Sequence, residues 1–201
     1  MKIFLATNNH GKVKEINKLF EGSGIEFLIA EGNFNYSSVE TGNTYKINAY
    51  KKAKYLYTET GSNTPSLAED SGLEVEALNG APGVHSARFA NTNATDKENN
   101  NRLLELLSLE TSNNRNAKFV SIFCLISKDG EFYFEGEVKG QIALSLKGEH
   151  GFGYDPLFIP EGYDKTFAQL GPEFKNAISH RAKAISKLKN LFFDKKIKDR
   201  R

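Results

Sequence analysis

Residues 3–6, Ile3-Phe4-Leu5-Ala6, form a run with no polar member, and it stops abruptly at Thr7-Asn8-Asn9-His10-Gly11-Lys12. A strand covered on one face alternates apolar and polar side chains. An unbroken apolar run has to be covered on both faces, as in a parallel sheet with helices on either side. Val13, Ile16, Leu19 and Phe20 then fall on one face of a helix whose other positions carry Lys14, Glu15 and Asn17. Residues 26–30 read as a second strand. Strand, polar loop, helix and strand predict an α/β fold, with ligand groups beyond the carboxyl end of the first strand.

The rest of the chain extends this pattern. Residues 44–57 place Ala49, Ala53, Leu56 and Tyr57 at helical spacing, and Ser66-Leu67-Ala68 is a short strand running into Glu69-Asp70-Ser71-Gly72. Thr95-Asp96-Lys97-Glu98 has the capping-box pattern, ahead of a helix with Leu103, Leu104, Leu106 and Leu107 on its buried side. Residues 119–127 and 131–138 are two strands separated by Lys128-Asp129-Gly130, a hairpin signal, and residues 141–146 are expected to add another. A last helix carries Phe174, Ile178, Ile185, Leu188 and Phe192 in one stripe and ends in a charged tail, 194–201. No repeat or linker interrupts the 201 residues, so 1–201 is expected to be a single domain. The expected fold class is α/β: a long mixed central β-sheet with flanking helices, forming two lobes around an active-site cleft.

Charge and cysteine content narrow the function. Lys and Arg number 27 against 25 Asp and Glu, a net +2, which is too little for a protein that grips nucleic acid by neutralising many phosphates. The lone Cys124 cannot form an internal disulfide or a multi-thiolate zinc site. The apolar start is shorter than the roughly 7–15 residues of a secretory segment. Residues 119–126, interrupted by Ser121, fall far below the roughly 20 needed to span a bilayer. A cytoplasmic protein without nucleic-acid or membrane partners is expected.

Four polar clusters carry candidate chemistry. In residues 7–12, a strand feeds a helix through a turn, presenting free backbone amides and Lys12 to an anion; the same residues also suit a plain turn with a helix cap. The acidic clusters Glu40-Thr41-Gly42 and Glu69-Asp70-Ser71-Gly72 offer oxygen ligands for Mg²⁺, or else a solvated turn. In Gly151-Phe152-Gly153-Tyr154-Asp155-Pro156, two glycines flank an aromatic ring that could stack a nucleobase, or simply close a tight turn. Lys175 through Arg181 places Lys175 and Ser179 on one helix face, with His180 and Arg181 beside the apolar stripe. Ser179 and His180 are adjacent and do not face each other, and no Gly-x-Ser-x-Gly elbow is present, which argues against serine hydrolase chemistry.

From Phe4 to about Leu188 these clusters, in this order, resemble the inosine triphosphate pyrophosphatase family. The resemblance is carried by Thr7-x-Asn9-x-x-Lys12, Glu40-Thr41-Gly42 with Asn48-Ala49, and Glu69-Asp70-Ser71-Gly72-Leu73. Gly80-Ala81-Pro82-Gly83 with Ser86-Ala87-Arg88, residues 151–156, and Lys175-Asn176 through Ser179-His180-Arg181 complete it. It implies a Mg²⁺-dependent homodimer that hydrolyses ITP, dITP and XTP to the monophosphate and pyrophosphate. It also implies roles for individual residues. Thr7, Asn8, Asn9, His10, Gly11 and Lys12 would hold phosphates, with Lys12 acting in catalysis. Glu40 and Asp70 would bind metal, Asp70 would accept the proton of the attacking water, and Ser71 lies beside it. Phe152, Gly153, Tyr154 and Asp155 would hold the base, helped by Lys175, His180 and Arg181. Where many relatives have two aspartates this chain has Glu69-Asp70, and Phe174 stands where relatives often carry an acid. Two other readings stay open at this point: a nucleotide- or RNA-binding module without turnover, and a pyrophosphatase for modified pyrimidines.

Overall fold

A computed structural model describes residues 1–198, with the side chains of 193–198 excepted. Six strands form one sheet in the order β2-β1-β3-β4-β5-β6. They are β1 (Lys2–Leu5), β2 (Glu26–Ile29), β3 (Ser66–Val75), β4 (Asn116–Ser127), β5 (Gly130–Ile142) and β6 (Phe158–Pro160). The helices are α1 (His10–Leu19), α2 (Tyr45–Glu59), α3 (Asp96–Leu109), α4 (Phe167–Leu170), α5 (Pro172–Ile178) and α6 (His180–Lys198). β1 pairs in parallel with both β2 and β3, whereas β5 and β6 are antiparallel. The sheet is therefore mixed, as the sequence predicts.

The chain divides into two compact units. Of the described residues, the first comprises 1–70, 121–136 and 181–198, and the second 71–120 and 137–180. In the first unit the strands are covered on both faces. Ile3, Leu5, Leu67, Phe123 and Leu125 pack with Ile16 of α1 and with Ala184, Ile185 and Leu188 of α6. Ala6, Ala68, Cys124 and Ile126 pack with Ala49, Ala53 and Leu56 of α2. Successive side chains go to opposite faces, which is why the run at 3–6 has no polar member. In the second unit Leu73, Val75, Phe119, Val138 and Phe158 pack with Leu103 and Leu107 of α3 and with Phe167 of α4.

Several expected boundaries are corrected. The strand at Ser66 does not end at Ala68 but continues to Val75, so Glu69, Asp70, Ser71 and Gly72 lie within β3 rather than in a turn. The strand tolerates them because Glu69 and Asp70 are both engaged by partners on neighbouring elements. Residues 141–146 are not a separate strand: β5 runs on to Ile142, and the remaining strand is β6, whose three residues include a proline and give almost no periodic signal. The single last helix is two helices, broken at Ser179, whose backbone is extended (φ −64°, ψ 162°). Of the charged tail, α6 takes in residues as far as Lys198, and 199–201 lie outside the described residues.

Candidate active site

The alternation of β3 sorts the first unit's polar groups onto two sides. Leu67 and Glu69 share the face covered by α1 and α6, and Ala68 and Asp70 share the face covered by α2. On the first side Glu69 is 3% exposed. Its carboxylate meets Lys12 Nζ at 2.9 Å, accepts from Arg181 Nε at 2.9 Å and accepts from Ser121 Oγ at 2.8 Å. Arg181 also donates through its guanidinium to Glu15.

Lys12 is delivered by the start of α1. Asn9 caps that helix by accepting from the Lys12 amide at 3.0 Å, while Thr7 Oγ1 accepts from the Asn9 amide at 3.1 Å. Asn8 donates to Phe34 O at 3.3 Å, and His10 and Gly11 form the first residues of the helix. Residues 7–12 are thus a strand-to-helix turn with the helix's positive end at its mouth.

On the second side, Asn48 and Lys52 stand one turn apart on α2. Asn48 accepts from the Gly42 amide at 2.7 Å and donates to Asp70 Oδ2 at 3.1 Å. Lys52, 5% exposed, donates to Glu69 O at 2.8 Å and Asp70 Oδ1 at 3.3 Å, and forms a short contact with Glu40. Burial raises the Asp70 pKa above its ordinary value of 3.8 and Glu40 adds to this, against the opposing pull of Lys52, Lys12 and the Asn48 amide. Burial works against the charge of Lys52, but Asp70 and Glu40 outweigh it and hold the ammonium protonated. Glu40 and Asp70 therefore both meet the Lys52 ammonium and present carboxylate oxygens beside it. That donor set fits a hard divalent cation. Among the described residues no three His, Cys, Asp or Glu side chains gather as a metal cluster, so such a cation would take its other ligands from phosphate and water.

The second unit gathers the aromatic cluster. Asp155 is buried, and its Oδ2 accepts from the Phe152 amide at 2.9 Å and from Lys175 Nζ at 2.6 Å. Lys175 Nζ also lies 4.4 Å from the centre of the Phe152 ring, a cation–π contact. Gly151, at φ +83°, could not be another residue: a Cβ there would lie 2.1 Å from Asp155 Oδ2. His180 stacks on Phe119 at 4.8 Å between ring centres. Tyr154 is a core group whose hydroxyl donates to Ser86 O at 2.9 Å. Ser71 follows Asp70 along β3, so its side chain leaves the opposite face.

In the first unit Lys12 and Arg181 are therefore brought together on Glu69, and Glu40 and Asp70 on Lys52; in the second, Phe152, Asp155 and Lys175 are brought together. Sequence reasoning missed Lys52, Glu15 and Ser121. For Lys52 a signal was available: it lies four residues after Asn48, beside the buried stripe Ala49, Ala53 and Leu56, where an unpaired lysine is not tolerated.

Residues 3–191 match the Ham1 family. The dITP/XTP pyrophosphatase of Aquifex aeolicus (strain VF5) is 44% identical over 198 residues, spanning 94% of this chain and 95% of the relative. That of Desulforamulus reducens is 47% identical over 190 residues, spanning 93% of each chain. Among solved structures, the Staphylococcus aureus Ham1 protein is similar at a TM-score of 0.85 and 37% identity, over 97% of this chain and 100% of that one. The nucleoside-triphosphatase, or dITP/XTP pyrophosphatase, of Mycobacterium abscessus is similar at 0.72 and 39% identity, over 94% and 98%. Matches this long and this similar in both sequence and fold place the chain in a family: it belongs to the Ham1 family.

Proposed function

We propose that this protein hydrolyses ITP, dITP and XTP to the nucleoside monophosphate and pyrophosphate, with Mg²⁺ as cofactor, and so clears deaminated purine nucleotides before they enter DNA or RNA. The observation that carries this reading is the convergence of Glu40 and Asp70 on the Lys52 ammonium, beside a helix start that presents Lys12. Two carboxylates against one ammonium leave a net negative charge, which would repel a triphosphate unless a further cation intervened. The names carried by the relatives support the same reaction.

In this scheme the amides at the start of α1 and Lys12 bind the triphosphate oxygens. Asp70, held by Asn48 and Lys52, orients a water and takes its proton as the water oxygen bonds to the α-phosphorus. The bond from that phosphorus to the bridging oxygen breaks, and the oxygen leaves with pyrophosphate. When bound, Mg²⁺ would neutralise charge building on the leaving group. Glu69 keeps Lys12 and Arg181 in place. Phe152 offers a face for the base, while Lys175 and His180 of the second unit are the donors proposed for a 6-keto oxygen. Adenine, with an amino group there, leaves such donors unpaired. The resemblance also supports a cytoplasmic homodimer. No helix among the described residues is long and apolar enough to cross a membrane.

The test is pyrophosphate release from ITP, dITP, XTP, ATP and GTP by the purified protein with Mg²⁺. The expected result is a kcat/KM for the first three at least about a hundredfold above that for the last two. Equal rates on all five, orthophosphate as the first product, or binding without turnover would overturn it.

A further inference from the structure

The aromatic loop of the second unit is held at its tip by two side chains of α3. The Gly153 amide donates to Asp96 Oδ2 at 2.6 Å, and the Gly153 carbonyl accepts from Asn100 Nδ2 at 2.8 Å. Asn100 Nδ2 also donates to Asp96 O at 2.7 Å, so donor and acceptor arms belong to one network, one turn apart on the helix. Gly153 sits at φ +62°, and nothing lies within 4 Å of where its Cβ would be. The side-chain side of this glycine is open, and the two hydrogen bonds fix its peptide groups between Phe152, held by Asp155, and the buried Tyr154.

Asn100 shows what this arrangement costs. It is 2% exposed, and its Oδ1 is buried with no hydrogen-bond partner among the described residues. Turning the amide over would aim that oxygen at two carbonyls, Gly153 O and Asp96 O, so the donor orientation is forced. A buried acceptor left unpaired is uncommon and needs a reason. An apolar side chain of the same shape would avoid the penalty but would lose the grip on Gly153. The helix start is itself secured: Thr95 and Glu98 form a reciprocal capping box, and Asn99 holds Ala87 O and the Ala90 amide.

We propose that Asp96 and Asn100 are positioning residues for base recognition, which fix residues 152–155 through the Gly153 peptide groups without themselves touching the base. The inference rests on the function proposed above. It predicts that loosening either bond weakens base discrimination more than it weakens the fold.

The test compares wild type with Asp96→Ala, Asp96→Asn and Asn100→Leu, measuring kcat/KM on ITP and ATP, calorimetric binding of IMP, and Tm. Asp96→Ala should lower the ITP-over-ATP ratio about tenfold through KM for ITP, the worth of one hydrogen bond. Asp96→Asn, which keeps an acceptor, should stay within about twofold of wild type. Asn100→Leu should lose discrimination and IMP affinity while its Tm is unchanged or higher. An unchanged ratio and unchanged IMP affinity in Asp96→Ala, with wild type selective, would overturn the inference and leave the proposed function standing. Should Asn100→Leu fail to fold, Asp96→Ala decides alone, since Asp96 is an exposed first-turn residue. A wild type that neither hydrolyses ITP nor binds IMP would sink both.

Discussion

Lys52 is the residue on which the first unit's chemistry turns. A lysine ammonium is not removed from water without compensation, and here it receives a carbonyl and two carboxylates. The positive charge holds Glu40 and Asp70 within a few ångströms of each other, where alone they would repel. Burial, with Glu40 adding to it, raises the Asp70 carboxyl above its ordinary value, which favours its taking a proton. Replacing Asp70 by Asn keeps the size and an acceptor for one of its two donors on α2 but removes the base. Asp70→Asn should lose turnover by a factor on the order of 10³ or more while ITP still binds, which equilibrium binding and pyrophosphate release measure separately. An Asp70→Asn protein with near-normal turnover would take the base role away from this residue.

At the scale of elements, β3 does the sorting. Its period of two sends Glu69 toward α1 and α6 and Asp70 toward α2, so adjacent acids acquire different tasks: one secures Lys12 and Arg181, the other faces Lys52 and Asn48. The longer side chain at 69 suits its reach to three donors, Lys12, Arg181 and Ser121. Helix α3 works from its first turn, where Thr95 accepts from the Glu98 amide and Glu98 returns to the Thr95 amide. Thr95→Ala removes that exchange. It should cost about 1 kcal/mol, read as a lower urea midpoint with unchanged slope, and should loosen the Gly153 anchor in proportion.

For the whole molecule the relevant quantity is what a bound cation and nucleotide contribute together. Treating the protein with a chelator and dialysing it should abolish pyrophosphate release from ITP, and Mg²⁺ should restore it. Free ITP with Mg²⁺, at about a hundred times its dissociation constant, should stabilise the fold by about 2.7 kcal/mol, visible as a rise in Tm for Asp70→Asn, which does not consume the ligand. Activity that survives complete chelation would exclude the cation from the reaction.

Much of this was legible from residue order alone. The gapless run Ile3 to Ala6 requires cover on two sides, and the cores on its two faces supply it. The hairpin at Asp129-Gly130 and the cap at Thr95 are local chemistry and were found for that reason. Strand β6 and the break at Ser179 were not, because three residues or one dihedral carry no periodicity. Lys52 and Asn100 were missed for a different reason: the stripe beside Lys52 marks it as buried, but its partners Glu40, Glu69 and Asp70, and Asn100's partner Gly153, lie outside their helices and are not visible in the local pattern. Helix and strand period, caps and turns depend on neighbours within a few residues, so the amino-acid order by itself determines them. Which carboxylate meets which ammonium, and which amide holds Gly153, depends on contacts across tens of residues, and only the folded chain decides those.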